Sequence, residues 1–146
     1  MAGLSDYLEN KLNDWQRGQT FPAAPTNTYA ALFTVAPSDA GGGTEVTGGS
    51  YARVAIPGAL TSWAGTQGAG TTTASTGTSG TTSNNNPITF PAPTAAWGTV
   101  VGTALFDAVT GGNMIVYNTL VTNRVINNGD SAPSFAAGTF SIQWDN

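Results

Sequence analysis

Glycines dominate residues 39–56, DAGGGTEVTGGSYARVAI, the stretch of this sequence that most resembles a phosphate-binding loop. Such a loop needs its glycines after a strand and at the start of a helix, usually with a following lysine, because backbone N–H groups and the lysine hold the phosphate. Here the glycines come before a strand-like run, SYARVAI, and no lysine follows them. The segment is therefore predicted to be a wide hairpin connection in which glycine supplies positive φ angles.

The acidic residues form no recognisable catalytic or metal-binding pattern. Asp107 and Asp130 are the mid-chain carboxylates that a glycoside hydrolase would need as a pair, but both stand beside turn sequences, where aspartate is common. Together with Asp39 and Glu45 they lack the spacing of a calcium loop, so calcium binding is the less favoured alternative. Histidine and cysteine are absent, and Lys11 is far along the chain from any plausible serine nucleophile. We therefore expect no enzyme activity, no catalytic residues, no cofactor and no metal.

Charge and hydropathy limit the kinds of molecule that this chain is expected to bind. The 146 residues suffice for one domain, and 4 basic against 8 acidic side chains give a net charge of −4. The basic residues are scattered along the chain, whereas nucleic-acid binding needs them clustered. No apolar run approaches the roughly 20 residues of a membrane span, and the N-terminus lacks the pattern of a signal peptide. We expect neither nucleic acid nor membrane as a partner.

Residues 4–17, LSDYLENKLNDWQR, are the one convincing helix of the sequence, because their apolar side chains fall on one face at 100° per residue. Ser5 suits the N-cap, and Gly18 suits the stop. A helix of about 12–14 residues is marginal alone in water, so this stripe must pack on its own domain or dock on a neighbouring subunit. We treat residues 1–20 as an N-terminal arm whose candidate interface residues are Leu4, Tyr7, Leu8, Leu12 and Trp15.

The rest of the chain, residues 21–146, has the pattern of a single antiparallel β-domain, with apolar runs separated by Gly, Thr and Asn turns. Residues 65–86, GTQGAGTTTASTGTSGTTSNNN, contain no charge and no aromatic ring, so we expect an exposed and mobile loop. The segment VTGGN joins two of the strands as a hairpin turn. The predicted strands cover residues 28–36, 50–56, 98–108, 114–120, 123–126 and 139–145.

Aromatic residues are frequent in the predicted strands and beside the polar loop, where Trp63 and Trp97 stand on either side. Exposed rings of this kind would form a sugar-binding platform or a protein interface. At strand spacing they are more often part of the core, which is the interpretation we favour.

Four segments resemble a family of small virion proteins of tailed bacteriophages. They are the opening MAGLSDYLENKL, the run YAALFTVAPSDAGGGTEVTGGSYARVAI (residues 29–56), the run FPAPTAAWGTVVGTALFDAVTGGNMIVYNTL (residues 90–120) and the ending INNGD…SFAAGTFSIQWD. The likeness covers nearly the whole chain except residues 65–86, where this sequence is longer than the usual pattern. Members of the family are described either as tail-fibre-like proteins or as capsid decoration (cement) proteins.

The resemblance implies a β-sandwich of jelly-roll type with a short N-terminal helix. It further implies a decoration protein, made in the host cytoplasm, that binds the outer surface of the capsid as a homotrimer and stabilises contacts between subunits of the major capsid protein. The alternative is a tail-fibre or receptor-binding module that contacts glycans on the host surface. The short chain, without fibre repeats or a heptad stalk, favours decoration.

Overall fold

A computed structural model of the chain describes residues 3–144. The described part contains one α-helix and ten β-strands, and every strand pair is antiparallel. In chain order the elements are β1 (Gly3–Leu4), α1 (Asp6–Gln16), β2 (Asn27–Val35), β3 (Thr44–Glu45), β4 (Val54–Pro57), β5 (Thr81–Ser83), β6 (Ile88–Thr89), β7 (Gly98–Phe106), β8 (Met114–Ile126), β9 (Ser134–Phe135) and β10 (Ser141–Gln143).

The main sheet has the strand order β1-β8-β7-β2-β3, and β4 also pairs with β2. Its centre consists of the long strands β2, β7 and β8, which place Ala31 opposite Ala104 and Ala104 opposite Tyr117. Two smaller sheets, β5 with β10 and β6 with β9, complete the described strands. The prediction of a mainly antiparallel β fold with one short N-terminal helix is confirmed, and the arrangement is compatible with a jelly-roll type.

Both faces of strand β2 are buried, as its uninterrupted apolar sequence predicted. On one face, Ala30 and Leu32 join the principal core, which the small sheets close from the opposite side through Ile88 and Ile142. On the other face, Ala31 and Phe33 join a second and smaller cluster with Ala104 and Met114. The principal core therefore lies between the main sheet and the small sheets. Its buried members are Ala30, Leu32, Val46, Ile56, Ile88, Phe90, Trp97, Val100, Leu105, Val116, Ile126, Phe140 and Ile142.

The predicted strands are correct in place and partly wrong in length. The runs at residues 114–120 and 123–126 form one strand, β8, in which residues 120–123 bulge where the register changes between Val100 and Gly102. The last strand is three residues long rather than seven, and it ends before Trp144, which is 47% exposed. Its predicted final residue, Asp145, lies outside the described residues.

The glycine-rich segment between β2 and β4 is a wide connection, as predicted. Gly41, Gly42, Gly43, Gly48 and Gly49 all have positive φ, and β3 pairs back onto β2 inside the connection. Gly43 is required for a second reason, because a Cβ there would lie 2.5 Å from the carbonyl oxygen of Val35. The segment is a turn, and it precedes a strand rather than a helix.

The loop within the polar segment at residues 65–86 is shorter than predicted. Residues 72–79 are exposed, but Thr81–Ser83 form β5, and Asn84 is buried. The exposed part is held by its own side chains, since the amide of Gln67 donates to Thr73 Oγ1 (2.9 Å) and to the carbonyl of Ala74 (3.0 Å). The hydroxyl of Ser79 donates to the carbonyl of Thr66 at 2.6 Å. These bonds give the exposed part the internal packing of an Ω-like loop, and its mobility stays a prediction.

Helix α1 has the N-cap that the sequence predicted, but it is shorter than the predicted residues 4–17, because Leu4 pairs with strand β8 as part of β1. Ser5 is its N-cap, and the backbone N–H of Leu8 donates to Ser5 Oγ at 3.3 Å. The Ser5 hydroxyl also donates to the carbonyl of Met114, which fixes the start of the helix to strand β8. Gly18, with φ +89°, follows the helix. No helix in residues 3–144 is long and apolar enough to cross a membrane.

Candidate functional site

The carboxylates considered for catalysis occupy turn positions. Asp107 accepts hydrogen bonds from the backbone N–H (2.7 Å) and the side-chain amide (2.8 Å) of Asn113, in the β7–β8 turn. Asp130 accepts from the backbone N–H of Asn127 at 2.7 Å, and Asp39 from that of Ala40 at 2.8 Å. Across residues 3–144 no three acidic residues come together as a metal-binding group. These side chains therefore have structural roles in their turns.

Glu45, the one remaining candidate acid, is part of a partly buried polar network that the sequence did not predict. Its carboxylate accepts from Arg53 Nε (2.9 Å) and Arg53 Nη2 (2.7 Å), so the pair is bidentate. Arg53 Nη1 donates to the carbonyls of Ala108 (2.9 Å) and Gly111 (2.8 Å) in the β7–β8 turn. The side chain of Arg53 is only 7% exposed. Through these bonds the network connects the glycine-rich segment between β2 and β4 to the turn between β7 and β8.

Tyr51 extends this network into strand β2. Its hydroxyl donates to Glu45 Oε1 (3.0 Å) and accepts from the backbone N–H of Leu32 (2.9 Å). Burial raises the pKa of Tyr51, and the neighbouring Glu45 carboxylate raises it further, while the Leu32 N–H and the Arg53 charge lower it. The phenol is therefore held in its protonated form and serves as a hydrogen-bond bridge between β2 and β3. In the sequence, the one sign of the Glu45–Arg53 pair is that an acidic and a basic residue stand on either side of a turn.

The five predicted interface residues of the arm fall into two groups. Leu4 and Leu8 pack against the principal core, and Tyr7 is half-buried beneath Lys11, whose Nζ lies 5.6 Å from its ring centroid. Leu12 and Trp15, one turn or more further along the helix, are 40% and 60% exposed. The structure therefore does not bring all five together in one contact.

The exposed apolar surface of the arm continues beyond the helix. Phe21 is 40% exposed, and every residue from 16 to 26 is exposed. We call Leu12, Trp15 and Phe21 the arm patch. Leu12 and Trp15 are three residues apart and are therefore neighbours on the helix surface, and exposed apolar patches are a common feature of protein interaction sites. The patch is a candidate protein-binding surface.

A second candidate surface is a groove of about 760 Å³ between strand β8 and residues 130–142. Its floor is formed by core side chains such as Leu32, Phe90 and Val100, and its walls mix hydroxyl and amide side chains with apolar ones such as Val121 and Val125. We call it the β8 groove. Because its walls come from segments that are distant in sequence, no local motif could have identified it.

The aromatic side chains mostly belong to the core, as favoured from the sequence. Trp97 is 5% exposed, and its indole N–H donates to the carbonyl of Gly49 at 2.9 Å. The ring of Tyr51 stands edge-on to that of Trp97, with centroids 5.3 Å apart. Trp63 packs against the same core. In the described residues, the tryptophans that remain exposed are Trp15 and Trp144.

The fold and these surfaces define a charge-poor antiparallel β-domain with an anchored helix, an exposed apolar arm and a groove of mixed apolar and polar lining. Residues 3–143 match the family described as "Podophage GP4 fiber I protein gp80". Because the match spans nearly the whole chain, the chain belongs to this family of phage structural proteins. No curated protein sequence matches the chain. The family establishes a virion component of the fibre type, which agrees with the resemblance to tailed-phage virion proteins.

Proposed function

We propose that this chain is a non-enzymatic subunit of a podophage fibre, held in the virion through its N-terminal arm. The observation that carries the proposal is the family match over residues 3–143, whose description names a fibre protein. The structure supports it with a β-domain packed around one principal core and an exposed apolar segment suited to attachment. Nucleic acid and membrane have no part in the proposal, because the domain's basic residues are few and scattered.

The arm patch is placed for attachment because the first half of the helix fixes its direction. Ser5 is bonded to strand β8, and Leu4 and Leu8 are packed on the core, so the helix cannot swing freely. Leu12 and Trp15 then project from the distal half of that helix. A tryptophan that becomes buried in a partner's pocket is the type of residue that dominates binding energy.

Self-association of the fibre subunit is part of the proposal, with a homotrimer as the expected state. The chain has few charges, and isolated apolar side chains such as Val35, Leu60 and Val109 are more than half exposed on its surface. An interface of this composition would depend on apolar burial, so its strength should change little with salt. Light scattering on the purified chain at increasing sodium chloride concentrations measures both the state and this dependence.

Capsid decoration is the second candidate function. One observation favours it: residues 3–144 form a single β-domain without a stalk, which suits a cap on a shell surface. The partner would then be the major capsid protein, and the location the outer surface of the head. The arm patch would in that case bind between capsid subunits.

Copy number in purified virions separates the two candidates. Closed symmetry gives a tail fibre on the order of ten or a few tens of copies, whereas a decoration protein covers the head in roughly hundreds. Quantitative mass spectrometry against the portal protein gives the number, and antibody labelling in electron microscopy gives the position. Labelling at the tail with a low copy number supports the fibre; labelling over the whole head at high copy number overturns it in favour of decoration.

A further inference from the structure

We propose that the β8 groove binds residues 20–25 of a second copy of this chain, so that neighbouring subunits are joined head to tail. We call residues 20–25, TFPAAP, the proline segment. The proposal rests on the self-association that is part of the proposed function, and it specifies the two surfaces that meet. Phe21 of the arm patch belongs to the segment, whereas Leu12 and Trp15 do not and stay exposed for attachment to the virion.

The proline segment is a stretch of backbone without partners in its own domain. All of its residues are exposed, and they belong to no helix or strand. Within residues 3–144, none of its backbone groups hydrogen-bonds to another backbone group. The chain is fixed only on either side of it, where the Gln19 N–H donates to the carbonyl of Asp14 (2.9 Å) and the Gly58 N–H donates to the carbonyl of Thr26 (2.9 Å). The segment is therefore presented on the surface between two fixed points.

The sequence of the proline segment suits binding in an apolar groove. Pro22 and Pro25 enclose two alanines, which gives the pattern Pro-x-x-Pro. Each proline fixes its own φ near −65° and restricts the preceding residue to extended conformations, so the segment favours a polyproline II helix. That helix has three residues per turn, which places the two prolines on the same side. Segments of this kind bind grooves lined by aromatic side chains, because little conformational entropy is lost when they bind.

The β8 groove has the lining that such a segment needs. Phe90 and Phe140 lie at its floor, and Phe135 is half-buried at its wall. Val121 and Val125 project from β8 beside these rings and are exposed, so their apolar surface is left for a partner to cover. The proline segment carries no charge, and the groove has no net charge because one basic and one acidic residue line it. Those two residues are Arg124 and Asp130.

The groove also has backbone and side-chain groups free to hydrogen-bond with the segment. On the open side of β8, strand β1 reaches only Val116 and Tyr117, and no described strand covers residues 118–126. Asn118 is two residues from Val116 and therefore faces the same side, toward the core and the groove. Its Oδ1 is buried and makes no hydrogen bond within residues 3–144. The N–H groups of Ala23 and Ala24 are suitable donors for it, since the prolines beside them have none.

The segment that fills a groove must come from another copy, because the two surfaces lie at opposite ends of the main sheet. The helix starts where the Ser5 hydroxyl donates to the carbonyl of Met114, and the chain returns into β2 beside the end of β7, where Tyr29 pairs with Phe106. At about 3.3 Å per residue, the middle of the groove at Thr122 lies roughly 20–25 Å along β8 from that end. Six residues fixed at both ends extend outward by no more than about 10 Å. The segment cannot reach its own groove.

A contact between two different surfaces of identical chains has a consequence for the assembly. Each copy gives its proline segment to one neighbour and receives the segment of the other neighbour in its groove. Such a head-to-tail contact produces a closed ring when the rotation between copies closes, and a ring of three is the homotrimer of the proposed function.

The test begins with two full-length variants that each disable one surface. The segment variant carries Ala23→Asp and Ala24→Asp, and both positions are exposed, so the fold should be retained. The groove variant carries Val125→Asp, at a side chain that is 59% exposed. By sedimentation velocity we expect the wild type to be trimeric and each variant to be monomeric, because the contact would bury an unpaired charge.

Mixing the two variants tests whether the two surfaces bind each other. The segment variant keeps an intact groove, and the groove variant keeps an intact proline segment. A mixture in equal amounts should therefore form a dimer and grow no further, since the remaining segment and the remaining groove are both disabled.

A peptide of residues 19–26, QTFPAAPT, locates the contact. Added to the ¹⁵N-labelled segment variant, it should give saturable shifts at amides of residues 117–126, 130–135 and 139–142. Adding Asn118→Leu to that variant should weaken peptide binding by about tenfold, because a hydrogen bond in a site that excludes water is lost. Replacing both prolines of the peptide by glycine should weaken binding by about fivefold, because the free peptide then has more conformations to lose.

Two control variants add the same charges away from the contact. Thr76→Asp with Thr78→Asp places two charges in the exposed residues 72–79, and Asn123→Asp places one charge on β8 at an exposed residue that does not line the groove. Both controls should be trimeric like the wild type, as surface changes away from an interface are.

Each of the following results would overturn the proposal. One is a wild type that stays monomeric up to about 100 µM, alone or until another virion protein is added, because a different protein would then be the occupant. Another is a trimer that persists in both variants or is lost in either control. A third is a mixture of the two variants that stays monomeric, or a peptide that binds outside the groove. None of these results bears on virion copy number or position, so the proposed fibre function fails or stands separately.

Discussion

The guanidinium of Arg53 lies over the ring of Phe106, with its central carbon 3.6 Å from the ring centroid. Arg53 comes just before strand β4, and Phe106 is the last residue of strand β7. The stacking places the guanidinium where it also reaches Glu45 and the β7–β8 turn. One side chain therefore joins three segments that are remote in sequence, and it does so with its charge paired and its donors largely used.

Arg53→Ala should destabilise the protein by about 2–4 kcal/mol, below the usual cost of removing one partner of a fully buried ion pair because the Glu45 side chain is 26% exposed. The substitution leaves the carbonyls of Ala108 and Gly111 without this donor, and the Glu45 carboxylate keeps the hydrogen bond from the Tyr51 hydroxyl but loses both bonds from Arg53. Urea unfolding followed by tryptophan fluorescence measures the change in the free energy of unfolding.

Arg17→Ala is the matched control, because Arg17 also pairs with an acid but its side chain is 78% exposed. Exposed pairs contribute about 0–1 kcal/mol, so this variant should remain near the wild type. Equal losses of unfolding free energy in the two variants would show that the Arg53 network contributes no more to stability than an exposed ion pair.

Tyr51 should make the protein less stable at alkaline pH. Because its pKa in the folded protein is raised, the folded state favours the protonated phenol. The corresponding stabilisation is fully present below about pH 10, the pKa of an unfolded tyrosine, and is lost as the pH rises through the folded value. The free energy of unfolding of the wild type should therefore fall above pH 10 more steeply than that of Tyr51→Phe, as urea titrations between pH 8 and pH 11 would measure. Parallel curves for the two proteins would contradict this role for Tyr51.

The sequence predicted those elements whose apolar pattern is local. Strand β2 could be predicted because its residues are apolar on both faces, and the β7–β8 hairpin because Gly111 and Gly112 supply the positive φ angles of its turn. The N-cap at Ser5 has an equally local cause. Each of these depends on a few consecutive residues.

Features that depend on partners far along the chain could not be predicted in the same way. The sequence pattern predicts a strand over residues 50–53, but the Tyr51 N–H bonds back to Gly48, and the side chains of Tyr51 and Arg53 turn to Glu45. The last strand is short because its partner β5 has only three residues. The β8 groove depends on where β1 stops pairing with β8, which no residue pattern in β8 reveals.

Asn84→Ala should destabilise the protein by about 3 kcal/mol, although the residue lies in a segment that composition alone marked as a loop. Asn84 is 1% exposed, its amide donates to the carbonyls of Asn86 (2.8 Å) and Ala136 (2.9 Å), and its Oδ1 accepts from the N–H of Phe140 (2.8 Å). Buried groups left without partners cost about 1–3 kcal/mol each, partly offset by relaxation. The matched control is Asn123→Ala, which changes an exposed asparagine on β8. Thermal unfolding of both variants isolates the effect of burial, and equal melting temperatures would refute the predicted role of Asn84.

The exposed part of the same segment should be dispensable. Replacing residues 72–78 with a short Gly-Asn link keeps the bond between Ser79 and Thr66 and the bonds of Gly70 and Thr71 to Asn85, and it should shift the melting temperature by only a few degrees, because loop-closure entropy changes slowly with length. Removing all of residues 65–86 deletes β5 and Asn84 and should abolish cooperative unfolding. Differential scanning calorimetry of both deletions tests the boundary. A collapse of the shorter deletion would show that the exposed loop is itself part of the fold.

Substitutions in the two halves of helix α1 should have different effects. A change in the first half should lower the stability of the fold, and changes in the second half should lower assembly into virions. Leu8 is half-buried against the core, so Leu8→Ala should cost about 1–2 kcal/mol, less than a fully buried leucine. Leu12 and Trp15 are exposed, so Leu12→Asp and Trp15→Asp should change the free energy of unfolding by no more than about 0.5 kcal/mol. The same two variants should lower incorporation into virions, because each would bring an unpaired charge into the attachment contact.

Complementation of a phage that lacks the gene, with virion content measured by mass spectrometry, gives incorporation. Asn13→Asp, an exposed charge change on the same helix between these two positions, is the control and should assemble normally. Wild-type incorporation of both Leu12→Asp and Trp15→Asp would remove the arm patch from the attachment mechanism.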